Sequence, residues 1–323
     1  MAHELESMYY TSNEENDRFV PWHGLGVSVE NAPTSADAIR LAGLDWNVKQ
    51  SPVYTKDGVE ILGYRANIRE TDGNILGMVG DRYKIVQNSE AFDFTDLMLG
   101  EGVRYETAGS LFGGRRIWLL ANLPKTKILG DDVIPYMCFT NGHDGFHSLK
   151  VCLSPVRVVC NNTLNFALKT APRSWSTRHV GDLNSKMQEA RQALGLAENY
   201  MKELTEVSDQ LANTKVTEDE VRTILDNTFH VKQDASERQK ANMEDQKNSF
   251  MVCMLAPDLA KFVGSAYQVA QAATDFAAHT RPKRLTAGYQ ESNFSNILDG
   301  HIVVDKVFLQ LMNKLQTGSI VSA

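Results

Sequence analysis

Lys150-Val-Cys-Leu-Ser-Pro-Val-Arg-Val-Val-Cys-Asn-Asn-Thr-Leu-Asn-Phe-Ala-Leu168 is where this 323-residue chain changes character. Before it, short β-branched runs are punctuated by Gly, Asn and Asp. After it come long segments rich in Ala, Leu, Glu, Gln and Lys. Val156 to Val159 reads as a strand with one arginine, Arg157, inside an apolar run. Asn161, Asn162 and Thr163 then precede the apolar Leu164, Phe166 and Leu168. Short polar side chains at a strand end suit a turn or a helix N-cap. The stretch therefore predicts a strand, a polar junction and then a helix. Such a junction can hold a ligand or simply cap the helix.

Working back from it, turn signals and alternation predict strands over 47–54, 61–68 and 75–79, the last two joined through Glu70-Thr-Asp-Gly-Asn74. Tyr105 to Leu111 and Arg116 to Leu123 form a second hairpin through Phe112-Gly-Gly114, and Val133 to Thr140 is a further strand. Short helices are predicted from Ser35, as N-cap, to Gly43, and from Asn88 or Ser89 onward. Residues 1–20 hold little to bury and read as a flexible N-terminus. Working forward, Pro172 to Val180 reads as a basic loop. Helices are then predicted over Leu183 to Leu211, after the capping box Thr217-Glu-Asp-Glu220, over Pro257 to His279, and over Ile302 to Leu315. The polar residues 231–249 form a solvent-facing helix or a connector. The expected class is α+β: a β-rich domain over 21–180, made of antiparallel hairpins with inserted helices. A helical region over 181–323 follows, packing on that domain or mediating assembly.

Composition narrows the function. Mean hydropathy of −0.31 and the absence of any long apolar run predict a protein with no membrane span. The acidic N-terminus lacks the features of a signal peptide, and the four cysteines show no CxxC spacing, so a reducing cytoplasmic setting is the simplest expectation. The net charge of −7 argues against a protein coated with nucleic acid over its entire surface. The charge is uneven, however. Residues 101–180 hold ten Lys/Arg against five Asp/Glu, a net of +5, whereas residues 1–50 carry a net of −5. Local potential, more than the total, governs the response of a polyanion.

No P-loop, GxGxxG or GxSxG motif occurs, and no cofactor is expected. His143 and His147 have the spacing of metal ligands on a helix, but Gly142 and Gly145 point to a turn, so no metal site is expected. A thiol enzyme with Cys160 as nucleophile and His143, His147 or His179 as base is disfavoured, because Cys160 falls inside an apolar strand pattern.

Several segments together resemble the phage/plasmid-like proteins, a widespread prokaryotic family otherwise known only as a domain of unknown function. They are Trp22-His23-Gly24-Leu25-Gly26, then Gly80-Asp81-Arg82-Tyr83 leading to Gln87-Asn88-Ser89-Glu90-Ala91-Phe92. Ala108-Gly109-Ser110 with Gly114-Arg115-Arg116 and Asn141-Gly-His143-Asp144-Gly145 follow, and the most specific is Pro155-Val-Arg157-Val-Val-Cys160-Asn-Asn162-Thr163-Leu164. Order and spacing agree from about residue 20 to 200. Gly142 departs from the serine more often found there. The resemblance implies a phage, prophage or plasmid setting inside a bacterial host, and supplies no settled activity.

Phage genomes often encode single-strand annealing proteins that pair a β-hairpin sheet with helices and oligomerise. A similar role is expected here: a homo-oligomer that binds single-stranded DNA during recombination or replication. Single strands are held by a positive groove and by aromatic faces. The candidates are Arg115, Arg116, Lys150, Arg157, Arg173 and Arg178, with Trp175 foremost among possible stacking surfaces Tyr83, Tyr105 and Trp118. A polar site of His143, Asp144, Asn161, Asn162 and Thr163 is expected if the strand-end segments converge, with Arg157 as its charged centre. The alternatives are an enzyme acting on a nucleotide or nucleic acid through that polar site, and a phage structural or host-interaction protein.

Overall fold

The computed structural model describes residues 5–11, 27–29, 34–99, 104–157, 162–163, 166, 168, 174–280 and 300–321. They form an α+β protein whose antiparallel sheets come first and whose helices dominate after residue 198. Two compact units are interleaved along the chain. Unit 1 comprises Met1–Pro124, Tyr136–Leu153 and Ser174–Ala197; unit 2 comprises Lys125–Pro135, Ser154–Arg173 and Glu198–Ala323.

In unit 1 the larger sheet contains β1 (Leu5–Thr11), β2 (Val27–Val29), β6 (Arg104–Leu111), β7 (Arg116–Asn122), β9 (Asp131–Gly142) from Tyr136 onward, β10 (Leu149–Arg157) as far as Leu153, and β12 (Ser174–Thr177). The strand order is β10-β9-β7-β6-β1-β2, with β12 on β10. The central β7 buries Ile117, Trp118, Leu119, Leu120 and Ala121 in succession. Burial of consecutive residues, which point to opposite faces, means that both faces are covered there. The segment expected to be a flexible N-terminus supplies β1, antiparallel to β6 and parallel to β2. The hairpin tip between β6 and β7 turns on three successive left-handed residues, Phe112, Gly113 and Gly114, at φ 57°, 66° and 88°. Glycine takes this conformation freely; Phe112 does so under strain.

A second, three-stranded antiparallel sheet has the order β3 (Val48–Tyr54), β4 (Glu60–Arg69) and β5 (Ile75–Gly80). The helix α1 (Ser35–Leu41) packs against α2 (Asn88–Leu99) and β6. Its cap is Thr34, not the expected Ser35: Thr34 accepts from the Asp37 N–H, while the Ser35 hydroxyl donates to Asp96. The anticipated basic loop over 172–180 is largely the edge strand β12, paired with Leu149–Cys152 of β10.

Unit 2 corrects the reading of the opening stretch. Asn162–Thr163 form a short strand, β11, folding back on Arg157 and Val156 of β10, so the polar junction makes a hairpin return and not a helix cap. The described Phe166 and Leu168 are not helical. The strand itself also begins earlier than expected, at Leu149. Beyond β8 (Thr126–Ile128), which pairs with the start of β9, this unit is helical. It takes in the C-terminal part of α3 (Leu183–Asn213), then α4 (Glu218–Thr228), α5 (Glu237–Cys253), α6 (Ala266–His279) and α7 (Ile302–Thr317). The capping box at Thr217 and Glu220 is present as expected. The single helix expected over Pro257 to His279 is broken. A 3-10 helix covers Pro257–Phe262, Gly264 turns at φ 78°, and α6 starts afresh behind the Ser265 cap. Ala266 to Thr274 of α6 are buried without exception, the pattern of a central helix. It packs against α5, α7 and β11.

Candidate functional site

The irregular segment from Asp81 to Gln87 lies between β5 and α2 and has no ladder to satisfy its backbone. Asn141 and His179 from outside the segment, and the segment's own Gln87 and Tyr83, tie it down instead. Asn141 Nδ2 donates to the Val86 carbonyl at 2.9 Å, and Gln87 exchanges two bonds with the Val48 backbone, at 2.9 and 2.8 Å. His179 Nδ1 donates to the Lys84 carbonyl at 3.2 Å, while the Lys84 N–H donates to the His179 carbonyl at 2.7 Å. Tyr83 stacks on His179, ring centroids 4.7 Å apart, and its hydroxyl donates to the Gly142 carbonyl at 2.6 Å. A buried backbone must be paired, and here the pairing fixes the loop.

His143 belongs to this clamp. Asn88 Nδ2 donates to the carbonyls of Leu44 and Trp46, at 2.9 and 3.3 Å, so Asn88 Oδ1 is left as the acceptor. His143 Nε2, 2.9 Å away, must then carry the proton. The ring is 0% exposed and meets Trp46 edge-on at 5.5 Å. Burial, reinforced by His179, pushes the His143 pKa down to about 3 against a small opposing pull from Asp144. It is a neutral, structural histidine at physiological pH. No other described residue hydrogen-bonds its Nδ1.

The turn that follows is different: it is rigid, and it faces solvent. Asp144 Oδ1 accepts from the N–H groups of Phe146 and His147, at 2.8 and 2.9 Å, and Oδ2 lies 2.7 Å from His147 Nδ1. Burial works to raise the Asp144 pKa. The bonds from the His147 ring and from those two N–H groups outweigh it and hold the carboxyl below its usual value. Asn67 Nδ2 anchors the turn from β4 by donating to the His143 carbonyl at 2.7 Å, and the His143 N–H donates to the Arg115 carbonyl, also at 2.7 Å. The β6–β7 tip closes over it. Asn74 Nδ2 donates to the Gly113 carbonyl at 2.9 Å, and the strained Phe112 lies nearly parallel to the His147 ring, centroids 6.1 Å apart. Backbone strain concentrates at functional positions, and Phe112 carries it beside this turn.

Phe146 is 90% exposed and the His147 side chain 34% exposed. Arg115 is exposed on the adjoining tip. An aromatic ring and an imidazole are therefore exposed on this turn, and a guanidinium is exposed on the tip whose Arg115 carbonyl receives the His143 N–H.

The expected site residues do not converge as one group. Arg115 and the His143-Asp144 turn do meet. Arg116, expected at the exposed tip, is instead only 4% exposed, drawn into the sheet by its pairing with Gly142. Tyr105 and Trp118 are core residues. Lys150 and Trp175 are half-buried on β10 and β12, where Lys150 pairs with Ser176 and Trp175 with Val151, and Arg178 is exposed just beyond. Asn162 and Thr163 fall in unit 2 as β11, beside α6. The side chain of Arg157, and Asn161, Arg173 and Cys160 altogether, lie outside the described residues. Among the described residues no group of three or more His, Cys, Asp or Glu could hold a metal ion. Cys138 and Cys152 are buried, and burial pushes the Cys138 thiol well up, as for an inert cysteine. Phe146 was not expected as a site residue, and His147 only as a disfavoured metal ligand or base. The available signal was Asp144, set between Gly142 and Gly145 and three residues before His147, an Asx-turn pattern.

A family model described as Domain of unknown function (DUF932) matches residues 75–297. The chain belongs to this family. The matched region takes in β5, the 81–87 segment, the β6–β7 tip and the Asp144 turn, while Asn67 and Trp46 lie before it. No curated protein and no solved structure matches the chain.

Proposed function

We propose that this DUF932 protein binds single-stranded nucleic acid through the surface formed by the β6–β7 tip and the Asp144 turn. The observation that carries the reading is Phe146: a ring 90% exposed on a backbone that Asp144 and Asn67 hold in place, beside the exposed Arg115. A preorganised aromatic face stacks an unpaired base for about 1–3 kcal/mol without sequence preference, and a neighbouring guanidinium takes the phosphate. The local excess of +5 over residues 101–180 supports the same reading. Arg178, exposed just past β12, adds a further positive charge.

Annealing of complementary strands, a phage or plasmid setting and the cytoplasm of a bacterial host are part of the same proposal. So is assembly as a homo-oligomer. The exposed apolar side chains Val252, Leu255 and Val263 of the helical unit support assembly, because apolar surface gains by burial against a partner. Among the described residues no helix is long and apolar enough to cross a membrane. The test is fluorescence anisotropy with a labelled single-stranded oligonucleotide at increasing salt. Binding that weakens steeply with salt supports the reading. Absence of binding at low salt refutes it.

A further inference from the structure

We infer that His147, oriented by Asp144, is a proton-transfer residue that cleaves RNA held at this surface by attack of a ribose 2′-hydroxyl on the adjacent phosphodiester. The inference rests on the single-strand-binding reading and adds a reaction to it.

A turn of this shape needs only Asp144 Oδ1, which already accepts the N–H groups of Phe146 and His147. The second oxygen does something further. By accepting from His147 Nδ1 at 2.7 Å it places the proton on Nδ1 and leaves a lone pair on Nε2. A buried carboxylate behind an imidazole whose other nitrogen is bare is the orienting arrangement of acid–base catalysis. The ring is also held in position. Phe112 lies nearly parallel to it, and the Gly142 backbone presses so close that a Cβ at 142 would sit 2.4 Å from His147 Cβ. The side chain is half-exposed, so a ligand can reach it. By contrast the neighbouring His143 is sealed and spends Nε2 on Asn88.

The nucleophile follows from what surrounds the ring. Among the described residues no hydroxyl or thiol side chain hydrogen-bonds to His147; Asp144 is its only side-chain partner. A ligand that carries its own hydroxyl supplies the group to activate. RNA supplies one at each nucleotide, next to the phosphorus it attacks, and DNA does not. In the step, His147 Nε2 takes the 2′-hydroxyl proton as O2′ bonds to phosphorus. The P–O5′ bond breaks with its electron pair going to O5′, which takes a proton from water. The hydroxide so formed removes the proton from the imidazolium. The products are a 2′,3′-cyclic phosphate and a 5′-hydroxyl, and nothing is oxidised or reduced. Exposed Arg115, on the tip whose carbonyl receives the His143 N–H, supplies positive charge for the phosphate oxygens.

The experiment uses the full chain with an end-labelled RNA oligonucleotide, the same sequence as DNA, and the RNA with a single 2′-deoxy substitution. Binding is followed by anisotropy, and products by gel and end-group analysis. The expected result is RNA cut to cyclic phosphate ends, DNA bound but intact, and no cut at the 2′-deoxy position. His147→Ala, checked for folding by circular dichroism, should slow cleavage by about 100-fold or more, well beyond any weakening of RNA binding. RNA bound but uncut, or cleavage unchanged in His147→Ala, overturns the inference while leaving single-strand binding in place. Loss of binding to both strands removes the reading on which it rests.

Discussion

Gly77→Ala tests whether the small sheet positions the candidate site. Gly77 is on β5, and a Cβ there would lie 2.5 Å from Asp144 Cα, 2.6 Å from its carbonyl oxygen and 2.8 Å from its carbonyl carbon. All three atoms are backbone, so no side chain can rotate away, and ordinary contact requires the sheet and the turn to part by about 1 Å. That displacement falls on two short bonds that hold the turn, Asn67 to the His143 carbonyl at 2.7 Å and Tyr83 to the Gly142 carbonyl at 2.6 Å. Overpacking of a tight interior costs about 1–3 kcal/mol. Weakening one buried hydrogen bond adds about 1–3 kcal/mol. The expected loss is therefore on the order of 2–6 kcal/mol, or a fall of roughly 5–20 °C in the transition that reports unit 1. Differential scanning calorimetry measures it, and loss of oligonucleotide binding should accompany it. A Gly77→Ala protein that melts within about 2 °C of the parent would refute the close approach of β5 to Asp144.

Other perturbations separate structural from ligand-facing residues. The His143 pKa falls from 6.5 to about 3 on folding, so the unfolded chain binds the extra proton and stability is lost as pH drops below 6.5; between pH 7 and pH 4.5 the loss is on the order of 3 kcal/mol. Urea melts of the parent and of His143→Gln at both pH values should show that part of the pH dependence vanish with the imidazole. Arg115→Ala should weaken single-strand binding and reduce the salt slope by about one. Arg116→Ala should instead lower the melting temperature, since that side chain is buried. Thr217→Ala removes the cap that accepts the Glu220 N–H and should cost about 0.5–2 kcal/mol in denaturant melts while leaving oligonucleotide binding unchanged.

Much of the fold was legible because its signals are local. The Gly113-Gly114 tip, the turn at 70–74 and the Thr217 capping box each depend on residues within a few positions of one another. The failures have a physical pattern. Thr34 and Ser35 are equally good caps in isolation, and the Asp96 carboxylate that engages Ser35 lies 61 residues away. Asn161 to Thr163 fit either a helix cap or a hairpin return, and pairing with β10 decided between them. Gly264 and Ser265 restart a helix whose apolar pattern runs straight through the break. At the site, the sequence pointed to Asp144 and Arg115, but also to His143 and Arg116, which are buried, and not to Phe146. His143 is structural because Asn88, 55 residues away, and Trp46 enclose it. The bond from the Phe146 N–H to Asp144 is local and legible as an Asx turn, but the anchoring of that turn by Asn67, 76 residues from His143, is not.

The most direct measurement is the affinity of the parent and of Phe146→Ala for a labelled single strand at low salt. An exposed ring can be removed without disturbing the core, so both proteins should melt alike. The account predicts that the parent binds and that Phe146→Ala binds about 5- to 150-fold more weakly, the worth of one stacked base. Equal affinity in the two proteins would contradict it.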